Sequence, residues 1–170
     1  FHIRLFVIID CRKGNYIFNN GIIRYCKQTF DKNNIIRENV ITVTKGKYSY
    51  SSFYEKLNLP KTLTELYSYL EKNNKSSKLL KINIKKSIQK YFKLFKLCIN
   101  KPSKNYKTKH IFGPDIIIQE NLDCRILEVN QGPDLKTNQK NKELEWDANI
   151  KKKLLNNYYK SDYSTNFIKF

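Results

Sequence analysis

Two short apolar runs carry carboxylates where a β-hairpin would bring them face to face, and this constrains the chain more than any other feature. Residues 112–118 read Phe-Gly-Pro-Asp-Ile-Ile-Ile, residues 125–130 read Arg-Ile-Leu-Glu-Val-Asn, and the polar stretch Asn121-Leu122-Asp123 lies between them. Runs this short, β-branched and bounded by polar residues predict strand, turn, strand. A turn centred on Asn121 and Leu122 sets Asp115 opposite Glu128. Asn130, the next residue but one after Glu128, then falls on the same face. Like charges directly opposed destabilise a sheet, and the flanking Ile116, Ile117, Ile118, Ile126, Leu127 and Val129 imply that both faces of the ribbon are buried. A hard divalent cation resolves the conflict. Oxygen donors from Asp, Glu and Asn suit Mg²⁺, which keeps several waters and leans on substrate phosphates. Two other readings stay open: an ordinary hairpin whose polar residues sit at a solvated end, and a one-residue bulge that spoils the register.

The rest of the chain supplies a core for such a hairpin. It has 170 residues, 40% of them hydrophobic, with ten Phe and twelve Tyr, enough for a folded domain. No run approaches the ~18 apolar residues of a membrane span. Cys11, Cys26, Cys98 and Cys124 form no CxxC pair, which argues against a zinc site or a disulfide framework and for reduced thiols. The chain lacks methionine and opens directly on a strand pattern, so residues 1–170 are expected to be one domain, the C-terminal portion of a larger unit. The net charge of +18, from 33 Lys and Arg against 15 Asp and Glu, points to an anionic partner or to compositional drift from A+T-rich codons.

Periodicity places the remaining elements. Residues 3–9 and 16–18 predict strands, and Asn20-Gly21 is a hairpin signal before a third strand over 22–27, giving a three-stranded meander. Residues 28–48 read as a long loop with a short strand at 40–44. Thr62 and Glu65 form a capping-box pattern that opens a helix over 63–71. A second helix over 77–99 repeats Ile84, Ile88, Phe92, Phe95 and Ile99 at helical spacing, with lysines between them. After a polar loop over 131–142, a last helix over 143–159 offers Leu144, Ala148, Ile150, Leu154 and Leu155 to the core. The order predicts an α+β fold with a mainly antiparallel sheet and packed helices.

Four motifs carry a resemblance. Phe1-His2-Ile3-Arg4, Gly21-Ile22-Ile23-Arg24, Phe112-Gly113-Pro114-Asp115 and Leu127-Glu128-Val129-Asn130-Gln131-Gly132-Pro133 occur in the order and at the separations found in the tubulin–tyrosine ligase-like enzymes of the ATP-grasp superfamily. The chain resembles that family over nearly its whole length. The resemblance implies an ATP-grasp-like fold and an ATP- and Mg²⁺-dependent ligase that joins an incoming amino acid to a protein carboxylate through an acyl-phosphate. It implies Asp115, Glu128 and Asn130 as the residues holding Mg²⁺, and Arg4 and Arg24 as catalytic clamps on phosphate and carboxylate oxygens. It also implies an acidic acceptor such as a tubulin C-terminal tail, and a cytoplasmic, microtubule-associated setting.

Three departures qualify it. His2 stands where the family has an acidic residue, and an imidazole does not do a carboxylate's work. The family's Leu-Thr-Asn loop has only Ile41-Thr42-Val43-Thr44-Lys45 as a counterpart. The upstream half of an ATP-grasp unit, with its phosphate- and adenine-contacting lysines, lies outside this sequence. A catalytically degenerate relative that binds acidic tails is therefore an alternative. A basic nucleic-acid-binding module is another, although no recognisable DNA- or RNA-binding motif is present.

Overall fold

The first strand of the chain is the axis on which the rest is assembled. In the computed structural model, which describes residues 1–26, 31–35, 57–98, 109–137 and 145–170 (without the side chains of 95–98), β1 (His2–Arg4) and β2 (Val7–Asp10) both run antiparallel to β5 (Lys109–Ile118). Arg4 opposes Asp115 and Val7 opposes Phe112, so no residue is gained or lost across Leu5-Phe6, and Leu5 N–H donates to the Pro114 carbonyl at 2.9 Å. The two strands are one ladder along β5.

The other edge of this axis is taken by β3 (Gly14–Phe18) beside β2 and by β4 (Ile22–Arg24) beside β1. Both are antiparallel to it, so β3 and β4 run in the same direction. This overturns the expected hairpin at Asn20-Gly21. Phe18 N–H bonds the Phe6 carbonyl while Ile22 opposes Arg4, so Asn19, Asn20 and Gly21 stand against Leu5 alone. The predicted meander is a single long hairpin with a bulge. Gly21 is required there because a Cβ would come within 2.8 Å of the Arg4 carbonyl oxygen. Asn20 closes the bulge, its side-chain oxygen accepting from Gly21 N at 2.9 Å and from Thr64 N at 3.2 Å.

Outside β5 lies β6 (Cys124–Asn130), and outside β3 lies β7 (Phe167–Lys169), a strand not anticipated from the sequence. Because strand side chains alternate between faces, Ile3, Leu5, Val7, Ile17 and Ile23 form one core with the helices α1 (Leu63–Lys72) and α2 (Ser77–Cys98). Phe6, Ile8, Phe18 and Ile22 form the other with Ile150 and Leu154 of α3 (Glu145–Lys160). The sheet is thus covered on both faces. His2 and Arg4 alternate in step with Phe6 and lie on the α3 face, at the β1 end.

The helices are fixed by local chemistry. Thr62 caps α1, its hydroxyl accepting from Glu65 N at 3.2 Å, while Glu65 reaches back to Lys61 N at 2.7 Å, one residue earlier than in a strict capping box. Ser76 accepts from Leu79 N at 3.1 Å at the start of α2. At the end of α3, Lys109 and Lys13 donate to the Tyr158 and Ser161 carbonyls at 2.6 and 2.7 Å, cations where the helix dipole favours them. Ala148, Ile150 and Leu154 are buried as expected, and Leu155 is half-buried. Leu144, Ile99 and the strand expected at 40–44 lie outside the described residues. No helix among the described residues is long and apolar enough to cross a membrane.

Candidate functional site

The β5–β6 hairpin delivers the expected opposition by an unexpected route. Ile118 opposes Cys124, so the turn is centred on Asn121, one position short of the expected register. It is closed by Gln119 N to the Asp123 carbonyl at 2.9 Å, and Asn83 of α2 ties it down by donating to the Leu122 carbonyl at 3.0 Å. Left alone, this register would set Asp115 against Leu127. A bulge intervenes: Ile116 opposes Ile126 but Asp115 opposes Glu128, with Leu127 as the extra residue. The bulge that the sequence reading treated as a threat to the pairing is what creates it.

Arg4, Asp115 and Glu128 therefore form one row across β1, β5 and β6. Arg4 grips Asp115 with a two-pronged fork: Nε donates to Oδ1, and Nη2 donates to Oδ2 at 2.6 Å. Its Nη2 also lies 3.9 Å from Glu128 Oε1. The guanidinium, a permanent charge in a planar fork, stands beside both carboxylates. Arg4 supplies one positive charge beside the two carboxylates that were expected to share a cation. Burial pushes the Arg4 guanidinium toward the neutral form, but the Asp115 hydrogen bonds and the charges of Asp115, Glu128 and Asp134 outweigh it and hold its pKa above the usual value.

The expectation that both faces of the ribbon are buried is corrected. Asp115 is 4% exposed and Arg4 8%, but the Glu128 side chain is 63% exposed on an outer strand. Asn130 is turned toward it, its Nδ2 donating to Glu128 Oε1 at 3.0 Å and to the Gly113 carbonyl at 3.3 Å. One member of the carboxylate pair is an interior group, and the other faces solvent.

A second row lies beside the first. His2 directly opposes Arg24 of β4, so both share the face that carries Arg4. His2 is half-buried, with its Nε2 enclosed, lacking a hydrogen-bond partner and lying 3.6 Å from Asp115 Oδ2. Burial lowers its pKa more than Asp115 raises it, and Arg24 and Arg4 lower it further. The imidazole is neutral at pH 7 and adds no charge to the row. Arg24 is half-buried at the sheet margin.

Two further residues, Pro133 and Lys151, have roles that the sequence alone did not assign. Pro133, after β6, lies over Gly113, where a Cβ would come within 2.7 Å of Pro133 Cβ and 3.1 Å of Arg4 Cδ. Glycine is needed at 113 so that this loop can rest on the strand. Lys151 of α3 is 3% exposed, a burial rare for lysine, with Asp147 Oδ2 at 2.9 Å and Asp134 Oδ2 at 3.9 Å. Its spacing next to Ile150 is the only signal the sequence held, because one more lysine among so many carries no mark.

Gly113 beneath Pro133, the Arg4–Asp115 fork and the bulged Glu128–Asn130 strand end are what the four motifs build. The family model described as the tubulin–tyrosine ligase family matches residues 1–166. The chain belongs to the tubulin–tyrosine ligase family. A comparison with curated proteins found no match. Membership agrees with the fold: an α+β arrangement with a curled antiparallel sheet and, among the described residues, three helices, consistent with the ATP-grasp-like fold of this family. It also makes the chain ligase-like in general terms, and tubulin–tyrosine ligase family proteins generally use ATP and Mg²⁺.

The donor set fits Mg²⁺ in kind. Glu128 is open to solvent, and Asn130, whose amide nitrogen faces Glu128 here, would present its carboxamide oxygen to a cation on turning over. The Arg4 fork does not exclude Asp115 as a ligand, since each carboxylate oxygen carries two lone-pair sites. No group of three His, Cys, Asp or Glu among the described residues could form a closed cage. A small set of oxygens backed by water and phosphate is the arrangement Mg²⁺ prefers.

Proposed function

We propose that this chain is the metal- and phosphate-binding part of a ligase that uses ATP to join an amino acid to a protein carboxylate. The observation that carries the reading is the row Arg4, Asp115, Glu128, Asn130, placed on one sheet face by the bulge at Leu127. Asp115, Glu128 and Asn130 would hold Mg²⁺, which when bound neutralises charge between the ATP phosphates. Arg4, already positioned by Asp115, would place its remaining N–H groups toward phosphate or carboxylate oxygens, and Arg24 would add a second fork from β4. The γ-phosphoryl group passes to an oxygen of the acceptor carboxylate. The amine of the incoming amino acid then attacks that carbonyl and displaces phosphate, forming an amide. An acidic acceptor such as a tubulin C-terminal tail matches the net charge of +18.

Isothermal titration with Mg²⁺ and a non-hydrolysable ATP analogue tests this, set beside an Asp115→Asn, Glu128→Gln variant. Magnesium-dependent binding that the variant loses supports the reading; equal binding by both proteins rejects it.

One observation favours a second reading, a non-catalytic relative that binds acidic tails. His2 is neutral where family members carry a charge, so the row has less negative charge with which to attract a cation. Binding of a poly-glutamate peptide with no nucleotide affinity would select it.

A further inference from the structure

The most deeply buried ammonium among the described residues belongs to no part of the site as assigned. Lys151 lies on α3 next to Ile150, which packs on the sheet, and its side chain is 4% exposed. A buried ammonium is costly unless it is paired. Lys151 has two carboxylates: Asp147, one helical turn earlier at 2.9 Å, and the exposed Asp134 at 3.9 Å, from the loop that follows β6 on the same face of the sheet. Asp147 alone would serve a lysine that only stabilises its own helix, but Asp134 couples α3 to the site.

Asp134 sits between two seated residues. Pro133 is buried over Gly113 and the Arg4 stem, and Leu135 packs against the cluster containing Phe6, Ile8 and Ile150. The loop leaves β6 directly after Asn130, so its path fixes where that strand end lies. The Asp134 charge also reaches Arg4 on its other side.

We infer that Lys151 is a positioning residue: by holding Asp134 it keeps the loop of residues 131–136 on the sheet, with Pro133 over Gly113 and Arg4, and so sets the Arg4, Asp115, Glu128, Asn130 row for use. Its consequence for nucleotide rests on the proposed reading of that row; its consequence for the loop does not.

Three substitutions separate this from simple support of α3. Lys151→Met keeps the length and apolar character of the stem and removes the charge, and Lys151→Arg restores the charge. Asp134→Asn keeps the oxygen that accepts from Lys136 N at 3.1 Å and, on an exposed side chain, spares the fold. Amide hydrogen exchange is read over 131–136 and over α1 and α2, together with the affinity for Mg²⁺ and a non-hydrolysable ATP analogue. Asp134→Asn should speed loop exchange about two- to fivefold, the scale of an ion pair with one exposed partner, while α1, α2 and α3 stay protected. Lys151→Met should speed loop exchange likewise and also loosen α3, because it strands Asp147; the double variant should exchange over the loop no faster than Lys151→Met, and Lys151→Arg should recover most of the protection. Affinity should fall in step with the loop. Wild-type loop protection in Asp134→Asn would overturn the inference. If the wild-type protein binds no nucleotide while the loop responds as described, the nucleotide reading of the row fails and the positioning role of Lys151 stands.

Discussion

Replacing Arg4 by Met should destabilise the protein more than loss of one surface charge could explain. Asp115 is 4% exposed and both its oxygens bond to Arg4. Removing one partner of a buried ion pair leaves an uncompensated charge and costs about 3–5 kcal/mol. Asp115→Leu should cost a similar amount, because it strands the guanidinium with Glu128, 3.9 Å away and open to solvent, and the charge of the exposed Asp134. The double variant Arg4→Met, Asp115→Leu strands neither charge, and replacing a whole buried pair by apolar groups is often close to neutral. The assay is urea denaturation of all four proteins. With a slope of about 2 kcal/mol per molar, each single variant should lower the midpoint by about 2 M, and the double variant should recover most of that loss. Additive losses in the double variant would refute the reasoning, since they would mean that each side chain contributes independently of the other. Near-neutral stability of the double variant would indicate that the pair is kept for what it does in the site.

Other features of the structure lead to further expectations. Gly21→Ala places a methyl 2.8 Å from the backbone oxygen of Arg4 and should cost about 1–3 kcal/mol, visible as a lower melting temperature; an unchanged melt would show that the bulge yields freely. Thr62→Ala removes the α1 cap and should cost about 1 kcal/mol in urea denaturation, whereas no loss would mean that Glu65 and Lys61 suffice. Burial pushes the Asp10 carboxyl up, but Arg12 N–H, Lys13 N–H, the Tyr163 hydroxyl and the Lys109 charge outweigh it and hold its pKa below the usual carboxylate range. Its folded value being depressed, Asp10 contributes stability at neutral pH that is lost as pH falls through that value. Asp10→Asn should therefore be less stable than wild type at pH 7 and converge with it in acid; parallel pH profiles would refute this.

The short-range features of this fold were legible in the sequence because the interactions that make them join near neighbours. The Thr62 cap acts across one helical turn, the apolar spacing of Ile84, Ile88 and Phe92 decides which face of α2 is buried, and alternation along Ile3, Leu5 and Val7 marks a strand. Three of the four motifs likewise contained the residues that meet in the row. What the motifs left open is how they meet, because Arg4 and Asp115 are 111 residues apart. Asn20-Gly21 has the composition of a hairpin turn, but the space beside Leu5 and the anchoring of Asn20 to the start of α1 make it a bulge. The turn at Asn121 alone gives the wrong register, and the bulge at Leu127 corrects it where β5 is already held by β1. Lys151 was indistinguishable from its solvated neighbours until α3 was laid against the loop carrying Asp134.

By itself, then, the sequence determined the helices and all the described strands but β7, since these follow from the period of the backbone. Only the tertiary structure decided that Asp115 is paired with Arg4, that Glu128 faces water and that a lysine lies buried behind the site. Charge pairing and burial depend on which distant segments come within a few ångströms, and no local pattern encodes that distance.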